Sequence, residues 1–356
     1  MQTIDLQTLD ALLDGHVDIR RRPGSVQPIR YPVAEAGFYD PFTRWVASAP
    51  AGVRIRLRTD SRSLRLAGSQ RLAAAGPEGT ARPAAYDLFV DDKLFARRAA
   101  SGGAVMTLDG SLTGDEHAEV RFDGLPSGDK TIALWLPQGA TLAITALELD
   151  DGAAWSAWPD ARRRIIFHGS SISHCMEADS GSGSWPAVAC ALAGARLLNL
   201  GWGGSCLISG LAARIIREQS ADAIVLKLGI NVWADGMLKE RTFPDSVHSM
   251  ISIIREKHAR TPIVVISPIF SPGREDAGDN GGLTLERMRD LLQEAVAARV
   301  RAGDGAIRYL SGLELFGEAD APDLPDNLHP NAAGYQRMGE RFHQLALSGE
   351  EALISA

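Results

Sequence analysis

Two short segments in the second half of the chain carry residue types that can perform acyl transfer. Ser171 lies in the run FHGSSIS, where a tight glycine turn exposes its hydroxyl. Asp326 precedes His329 by three residues, close enough within one turn to orient the imidazole. A serine hydroxyl is a poor nucleophile near neutral pH, so His329 would accept its proton while Asp326 holds the tautomer. The residues predict a triad of Ser171, His329 and Asp326.

Two further segments offer hydrogen-bond donors for the oxyanion that forms when a serine attacks a carbonyl. In the run NLGWGGS, the backbone N–H of Gly204 can approach a ligand with no Cβ in the way. Asn231, in the run LGIN, offers a side-chain amide N–H. We expect both donors to point at the oxygen as it gains charge.

Each segment also has a simpler interpretation. A Gly-Ser-Ser run is common in ordinary turns, and Asp326 can cap its own turn while His329 is merely exposed. The glycine-rich turn before Ser205 could hold a phosphate, but no acidic ribose partner is evident. The segment around Ser171 also differs from G-x-S-x-G, so the nucleophile elbow of α/β-hydrolases is absent.

After Pro159 the pattern alternates between apolar strands and helices that would position these segments. The predicted strands are 164–167, 196–200, 223–228, 262–266 and 307–310, and the predicted helices are 185–193, 211–219, 244–258, 285–301 and 332–347. Five strands separated by helices indicate a parallel α/β sheet covered on both faces. Ligands bind beyond the carboxyl ends of such strands. Three of the four segments follow strands, and the fourth precedes the last helix.

The region from Val53 to Leu149 instead shows period-two runs separated by turns and no helical pattern. This favours a β-sandwich or jelly roll. Residues 6–13 could form a short helix. At 356 residues and roughly 150 residues per domain, we expect two domains: residues 1–155 as a β-sandwich accessory domain and residues 160–350 as the catalytic domain.

The order Ser, Gly, Asn and Asp-x-x-His resembles the SGNH (GDSL-like) hydrolase family between Arg164 and Phe342. The resemblance implies a flavodoxin-like sheet with Ser171 as nucleophile and Asp326 and His329 completing the triad. It also implies an oxyanion hole formed by the N–H groups of Ser171 and Gly204 and by Asn231. Ser170 departs from the family's commonest pattern, which has Asp there. The AYDLF run at 85–89 is similar to a stretch in the N-terminal sandwich of some bacterial SGNH proteins.

The composition and the net charge of the chain exclude some classes of binding partner. Hydrophobic residues make up 45% and charged residues 23%, which is typical of a globular protein. The net charge of -7 argues against nucleic acid, and its concentration after Asp150 favours neutral or cationic esters. No signal peptide or apolar span of about 20 residues is evident, so we expect a cytoplasmic protein with no membrane partner. Its three cysteines are too few and odd in number for a disulfide framework, which favours a reducing compartment. We expect them to be small buried hydrophobic residues.

Several other residues near the candidate segments have weaker signals. Trp202 and Trp233 are candidates for the walls of a substrate pocket, although core packing explains either equally well. His168 and His174 lack a third ligand at metal spacing. The acidic loop 275–282 lacks the spacing of a calcium site and is better interpreted as part of a substrate lid. We expect neither a metal nor another cofactor.

The leading hypothesis is a serine esterase that cleaves a small or medium acyl ester of a sugar or natural-product alcohol through an acyl-serine intermediate. The alternative is an acyltransferase that passes the acyl group from a thioester or ester donor to a natural-product hydroxyl. A third reading, a carbohydrate-binding protein with an inactive α/β half, is disfavoured by four intact segments. The sequence leaves the acyl group, the alcohol and any homo-oligomer undetermined.

Overall fold

In the computed structural model, which describes residues 1–75, 80–107, 110–350 and 352–354, the chain divides into two units. The first comprises Met1–Ala161 together with Asp179–Ser182, and the second comprises Arg162–Ala178 and Gly183–Ala356. The segment Asp179–Ser182 joins the first unit because Ser180 and Ser182 both donate hydrogen bonds to the buried carboxylate of Asp87. No sequence pattern indicated this excursion.

The first unit is built from short strands. They are β1 (Gln2–Thr3), β2 (Leu13–Asp14), β3 (Asp18–Arg22), β4 (Ser25–Ile29), β5 (Arg54–Thr59), β6 (Ser63–Ala75), β7 (Thr80–Ala81), β8 (Ala85–Val90), β9 (Lys93–Ala99), β10 (Ser101–Gly102), β11 (Ala104–Met106), β12 (Leu112–Thr113), β13 (His117–Asp123), β14 (Lys130–Trp135), β15 (Ala140–Leu149) and β16 (Trp155–Ala157). In the described residues, one sheet runs β10-β13-β6-β15-β4-β3 and the other runs β16-β5-β14-β8-β9, and almost all neighbours are antiparallel.

A single apolar core joins the two sheets. Alternate residues of β6, such as Leu64 and Leu66, and of β15, such as Leu147 and Leu149, are buried together with Ile55 and other residues of the smaller sheet. Because successive side chains of a strand point to opposite faces, this alternation buries one face of each sheet. The predicted β-sandwich is therefore confirmed.

In the described part of residues 1–161, the helices and 3-10 turns lie before residue 48. A 3-10 turn, Leu6–Thr8, leads into α1 (Leu9–Leu12), as the sequence predicted. A second 3-10 turn, Val33–Phe38, precedes α2 (Pro41–Ala47), whose N-cap Asp40 accepts a hydrogen bond from the backbone of Thr43 at 3.0 Å. The hairpin of β3 and β4 and the helix α2 were not predicted.

The second unit contains one parallel sheet. Its strands are β17 (Arg164–Gly169), β18 (Arg196–Gly201), β19 (Ala223–Lys227), β20 (Ile263–Ile266) and β21 (Ile307–Leu310). They lie in the order β18-β17-β19-β20-β21, and every neighbouring pair is parallel. The predicted five-stranded, flavodoxin-like sheet is confirmed. Because the chain crosses from β17 to one neighbour and later returns to the other, β17 lies at the topological switch point.

The helices connect these strands. They are α3 (Ser171–His174), α4 (Trp185–Leu192), α5 (Gly210–Glu218), α6 (Ile230–Trp233), α7 (Thr242–Arg255), α8 (Leu285–Arg301), α9 (Gly312–Leu315) and α10 (Ala332–Phe342), and α10 continues as a π-helical turn, His343–Leu347. All five residues of β19 are buried, including Lys227, as expected for a strand covered on both faces. None of the helices in the described residues is long and apolar enough to cross a lipid bilayer.

Candidate active site

Ser171 is the first residue of the short helix α3, directly beyond β17. Ser170 forms the N-cap, and its hydroxyl accepts a hydrogen bond from the N–H of Ile172 at 3.2 Å. The helix ends after one turn because Cys175 adopts a left-handed conformation with φ of 61°. This turn holds the Ser171 hydroxyl at the carboxyl edge of the sheet, as the sequence predicted.

The end of β18 forms a close support for α3. A Cβ placed on Gly201 would lie 2.4 Å from the backbone of Ser173 and His174, so only glycine fits there. Asn199 bridges the two elements, because its side chain donates to the carbonyl of Ser173 at 2.8 Å and accepts from the N–H of Gly201 at 2.7 Å. Sequence reasoning missed Asn199 as a support, although it begins the glycine-rich run.

The last loop brings His329 to the serine. Nε2 of His329 lies 2.7 Å from Oγ of Ser171, and Nδ1 lies 2.6 Å from Oδ2 of Asp326. The other oxygen of Asp326 accepts hydrogen bonds from the backbone N–H groups of His329 at 2.7 Å and Leu328 at 3.0 Å. The structure thus brings together all three residues of the predicted triad, and Asp326 also caps its turn.

The surroundings keep the Asp326 carboxyl ionised. Partial burial raises its pKa, but hydrogen bonds from the backbone and ring of His329 and from Leu328 outweigh that effect, and the net shift is downward. The ionised carboxylate of Asp326 accepts a hydrogen bond from the N–H at Nδ1 of His329. Because the ring proton is held at Nδ1, Nε2 can take a proton from Ser171.

A second carboxylate, which sequence reasoning missed, faces the same histidine. Oε1 of Glu177 lies 4.0 Å from Nδ1 of His329. Its other oxygen accepts a hydrogen bond at 3.0 Å from the hydroxyl of Tyr335, which is fully buried. Burial raises the pKa of that phenol well above its usual value, so Tyr335 remains a neutral donor. Glu177 lies only six residues after Ser171, but an isolated glutamate gives no sequence signal.

The two predicted oxyanion donors follow β18 and β19. Gly204 is exposed in a turn and has a φ of 69°, a conformation that favours glycine. Asn231 lies in α6, and its Oδ1 accepts a hydrogen bond from the N–H of Cys206 at 3.0 Å. That bond fixes the orientation of the amide, whose Nδ2 group is its only hydrogen-bond donor.

The two tryptophans differ in their surroundings. Trp202 is 1% exposed, and its ring packs edge-on against His168 with centroids 5.5 Å apart. This core position does not support the prediction that Trp202 forms a pocket wall. Trp233 is half-buried, and the guanidinium of Arg274 lies 5.3 Å from its ring centre. Arg274 also donates to the carbonyl of Asn327 at 3.1 Å, in the loop that carries Asp326 and His329.

Other candidate groups have structural explanations. Glu275, in the acidic loop, pairs with Arg289 at 2.6 Å. Within the described residues, no group of three or more His, Cys, Asp or Glu side chains is arranged to hold a metal ion. All three cysteines are buried thiols, and burial raises the pKa of the Cys206 thiol to about 12. The cysteines are therefore small buried residues of the second unit, as the sequence predicted.

Comparison with known proteins bears on this geometry. Residues 167–337 match the GDSL-like Lipase/Acylhydrolase family, and residues 12–145 match the N-terminal domain of SsfX3. The chain carries a GDSL-like lipase/acylhydrolase (SGNH) domain. This domain is accordingly of the SGNH hydrolase and acyltransferase type, as the resemblance implied.

Two solved structures resemble this SGNH protein over both units. The salicylyl-acyltransferase SsfX3 from a tetracycline biosynthetic pathway is 29% identical with a TM-score of 0.84, and the match covers 93% of this chain and 92% of that one. A GDSL-like lipase from Bacteroides ovatus is 19% identical with a TM-score of 0.73, over 97% and 96% of the two chains. At that lower identity the likeness shows the fold alone.

A curated relative extends the comparison to esterases. A multidomain esterase of Ruminococcus flavefaciens is 26% identical over 126 residues, which is 35% of this SGNH protein. The aligned part spans only 15% of the length of that esterase.

Proposed function

We propose that this protein is a serine esterase that cleaves a small or medium acyl ester of a sugar or natural-product alcohol through an acyl-serine intermediate. The observation that carries the proposal is the continuous hydrogen-bonded chain from Ser171 Oγ through His329, at 2.7 Å, to Asp326, at 2.6 Å. This arrangement has a nucleophile, a base and a group that orients the base, which are the three roles that acyl transfer needs.

The first half of the reaction forms the acyl-enzyme. Ser171 Oγ attacks the ester carbonyl carbon while its proton moves to Nε2 of His329. The carbonyl oxygen becomes an oxyanion, which the N–H groups of Ser171 and Gly204 and the Nδ2 group of Asn231 stabilise by hydrogen bonds. The bond to the alcohol oxygen then breaks, and His329 returns its proton to the departing alkoxide.

The second half releases the acid. A water molecule attacks the acyl carbon as His329 takes one of its protons, and a second oxyanion forms in the same place. Its collapse breaks the bond to Ser171 Oγ, which recovers the proton from His329. Throughout, Asp326 stays ionised and stabilises the imidazolium, and Glu177 adds a second negative charge near Nδ1.

Labelling with a fluorophosphonate probe tests the nucleophile. Intact mass spectrometry should show one adduct on the wild-type protein and none on Ser171→Ala. The same variant should lose at least about 10³-fold in kcat toward an ester panel that varies acyl length and aromaticity. A Ser171→Ala protein with near-normal turnover, or equal labelling, would refute the mechanism.

The second candidate is transfer of the acyl group to another alcohol. The likeness to a salicylyl-acyltransferase across both units favours it. The residues have the same roles, except that an acceptor hydroxyl replaces water in the second half-reaction. Which of the two reactions prevails depends on how well the pocket excludes water from the acyl-enzyme.

Product analysis separates the two candidates. The protein would be incubated with a thioester or ester donor, with and without a set of natural-product alcohols, and the products identified by mass spectrometry. A new ester that depends on the acceptor and on Ser171 would establish transfer. Free acid with every acceptor would leave hydrolysis as the activity.

A further inference from the structure

The solvent-facing side of the larger sheet in the first unit holds a cavity of about 460 Å³. We propose that it binds a ring-bearing organic anion, a molecule with a carboxylate or phosphate group attached to a ring. This site goes beyond the reaction proposed above and does not depend on it.

Strand alternation explains how the floor of the cavity forms. Ser69 and Arg71 line it, whereas Leu66 and Leu72, in the alternate positions of β6, belong to the core of the sandwich. Thr141 of β15 also lines the cavity and pairs directly with Arg71 across the two strands. Alternate residues of a strand share one face of the sheet. Because the apolar residues bury one face in the core, the polar residues between them lie on the opposite face, which forms the floor of the cavity.

The hairpin of β3 and β4 extends this polar floor. Arg20 pairs with Gln27 across the hairpin, and Arg22 pairs with Ser25. All four line the cavity. Arg20 Nη1 donates to Oε1 of Gln27 at 3.2 Å, and its other terminal nitrogen donates to the Tyr31 hydroxyl. Its guanidinium is thus held in place by neutral partners.

The opposite wall comes from α2, which contributes Arg44 and Trp45. The Nε1 atom of Trp45 is buried and has no hydrogen-bond partner among the described residues. A buried donor without a partner is costly, so a rotation of the Trp45 side chain that brings Nε1 to an acceptor on a ligand would be favoured. The Trp45 ring, itself half-buried, offers an aromatic face for a ligand ring.

The cavity is strongly positive for a chain with a net charge of -7. Its lining contains four arginines and one glutamate, and Glu116 already pairs with Arg71 at 2.9 Å. In the part of the chain that the structure describes, Arg20, Arg22 and Arg44 form no ion pair within 4.0 Å, although the charge of Glu116 also acts on Arg22. Guanidinium groups match carboxylate and phosphate oxygens in both charge and geometry. Three such groups that line one cavity beside the Trp45 ring therefore favour a ring-bearing anion.

Calorimetric titration of the full-length protein tests the site with three probes: trigalacturonic acid, glucose 6-phosphate and neutral maltotriose. We expect saturable binding of at least one anion that weakens as salt increases, and no binding of maltotriose. Preference for trigalacturonic acid would assign a carboxylate-bearing ring, and preference for glucose 6-phosphate would assign a phosphate-bearing ring. Failure of both anions to saturate, or equal binding of maltotriose, would overturn the proposal.

Variants locate the binding within the cavity. Arg22→Gln combined with Arg44→Gln should lower the affinity at least about tenfold, whereas Arg121→Gln, an exposed arginine paired with Asp123 on the same unit, should leave it unchanged. Trp45→Phe keeps an aromatic ring and removes the N–H, and should weaken binding several-fold. If the double variant does not fold, Arg22→Gln alone replaces it in the test. Because Arg22 is exposed, we expect this single variant to retain the fold. Wild-type affinity in the arginine variants would refute the site.

Discussion

Glu177 places a carboxylate oxygen 4.0 Å from Nδ1 of His329, the same nitrogen that Asp326 engages at 2.6 Å. The two acids differ in accessibility, since the Asp326 side chain is 53% exposed and that of Glu177 is 21% exposed. Tyr335 fixes Glu177 from the core. The histidine therefore lies beside two negative charges, of which the more distant is the less screened by solvent.

Glu177→Gln should lower kcat about two- to tenfold. Removing the charge makes the imidazolium that forms in the transition state less stable, while glutamine still accepts from Tyr335. Initial rates at saturating substrate measure the effect, and the exposed Glu314→Gln serves as the control. An unchanged kcat would show that Glu177 does not act on His329.

Asn231→Asp should reduce kcat about 10²- to 10³-fold with little change in KM. Aspartate can still accept from the Cys206 N–H, but it replaces the amide donor with a carboxylate oxygen that repels the oxyanion. Steady-state kinetics and thermal unfolding together separate a lost donor from a lost fold. Activity within a few-fold of wild type would remove Asn231 from the oxyanion hole.

Gly201→Ala should lower activity on the order of 10²-fold, because a methyl group 2.4 Å from the α3 backbone must displace Ser171. Gly305→Ala is a matched control, since the space around that position is open and no left-handed φ is required. Fluorophosphonate labelling rates report the displacement without a substrate. Equal rates in the two variants would contradict the proposed support of α3 by β18.

Asp320→Asn should destabilise the second unit by about 2 kcal/mol at pH 7. Burial raises the pKa of Asp320. Hydrogen bonds from Arg341 and the Gly317 N–H and the charge of Arg337 lower it by a larger amount, so the net shift of the pKa is downward. A carboxyl with a lowered pKa contributes its stability above its unfolded value and loses it as the pH falls through the folded value.

The cost of Asp320→Asn should therefore shrink below about pH 4. Urea unfolding at pH 7 and pH 3 measures the difference, and Glu318→Gln, exposed in the same 3-10 turn, is the control. A cost that does not change with pH would mean that the carboxylate charge is not what stabilises this corner.

Much of the second unit followed from hydrophobic periodicity. The predicted bounds of β21 and α8 agree with the structure, and α4 differs by one residue at its end. Buried parallel strands are continuous apolar runs, so their identity is written locally in the sequence. The hairpin of β3 and β4 was missed because its arginine-rich, solvent-facing positions hide the alternation.

The residues of the triad could also be chosen from the sequence, because each segment combines a required residue type with a position beyond a strand or before a helix. The residues that support the triad could not be chosen from the sequence. Glu177, Asn199 and Tyr335 act through contacts between elements distant in sequence, and no local pattern records a partner 158 residues away.

The sequence by itself determined which residue types stand at the carboxyl ends of the strands, since local periodicity sets where strands end. Only the tertiary structure decided that Trp202 is a core residue, that a second acid faces His329, and that arginines from β3, β6 and α2 line one cavity. The physical reason is that burial, distance and local charge density are properties of the packed chain, which depend on every neighbour at once.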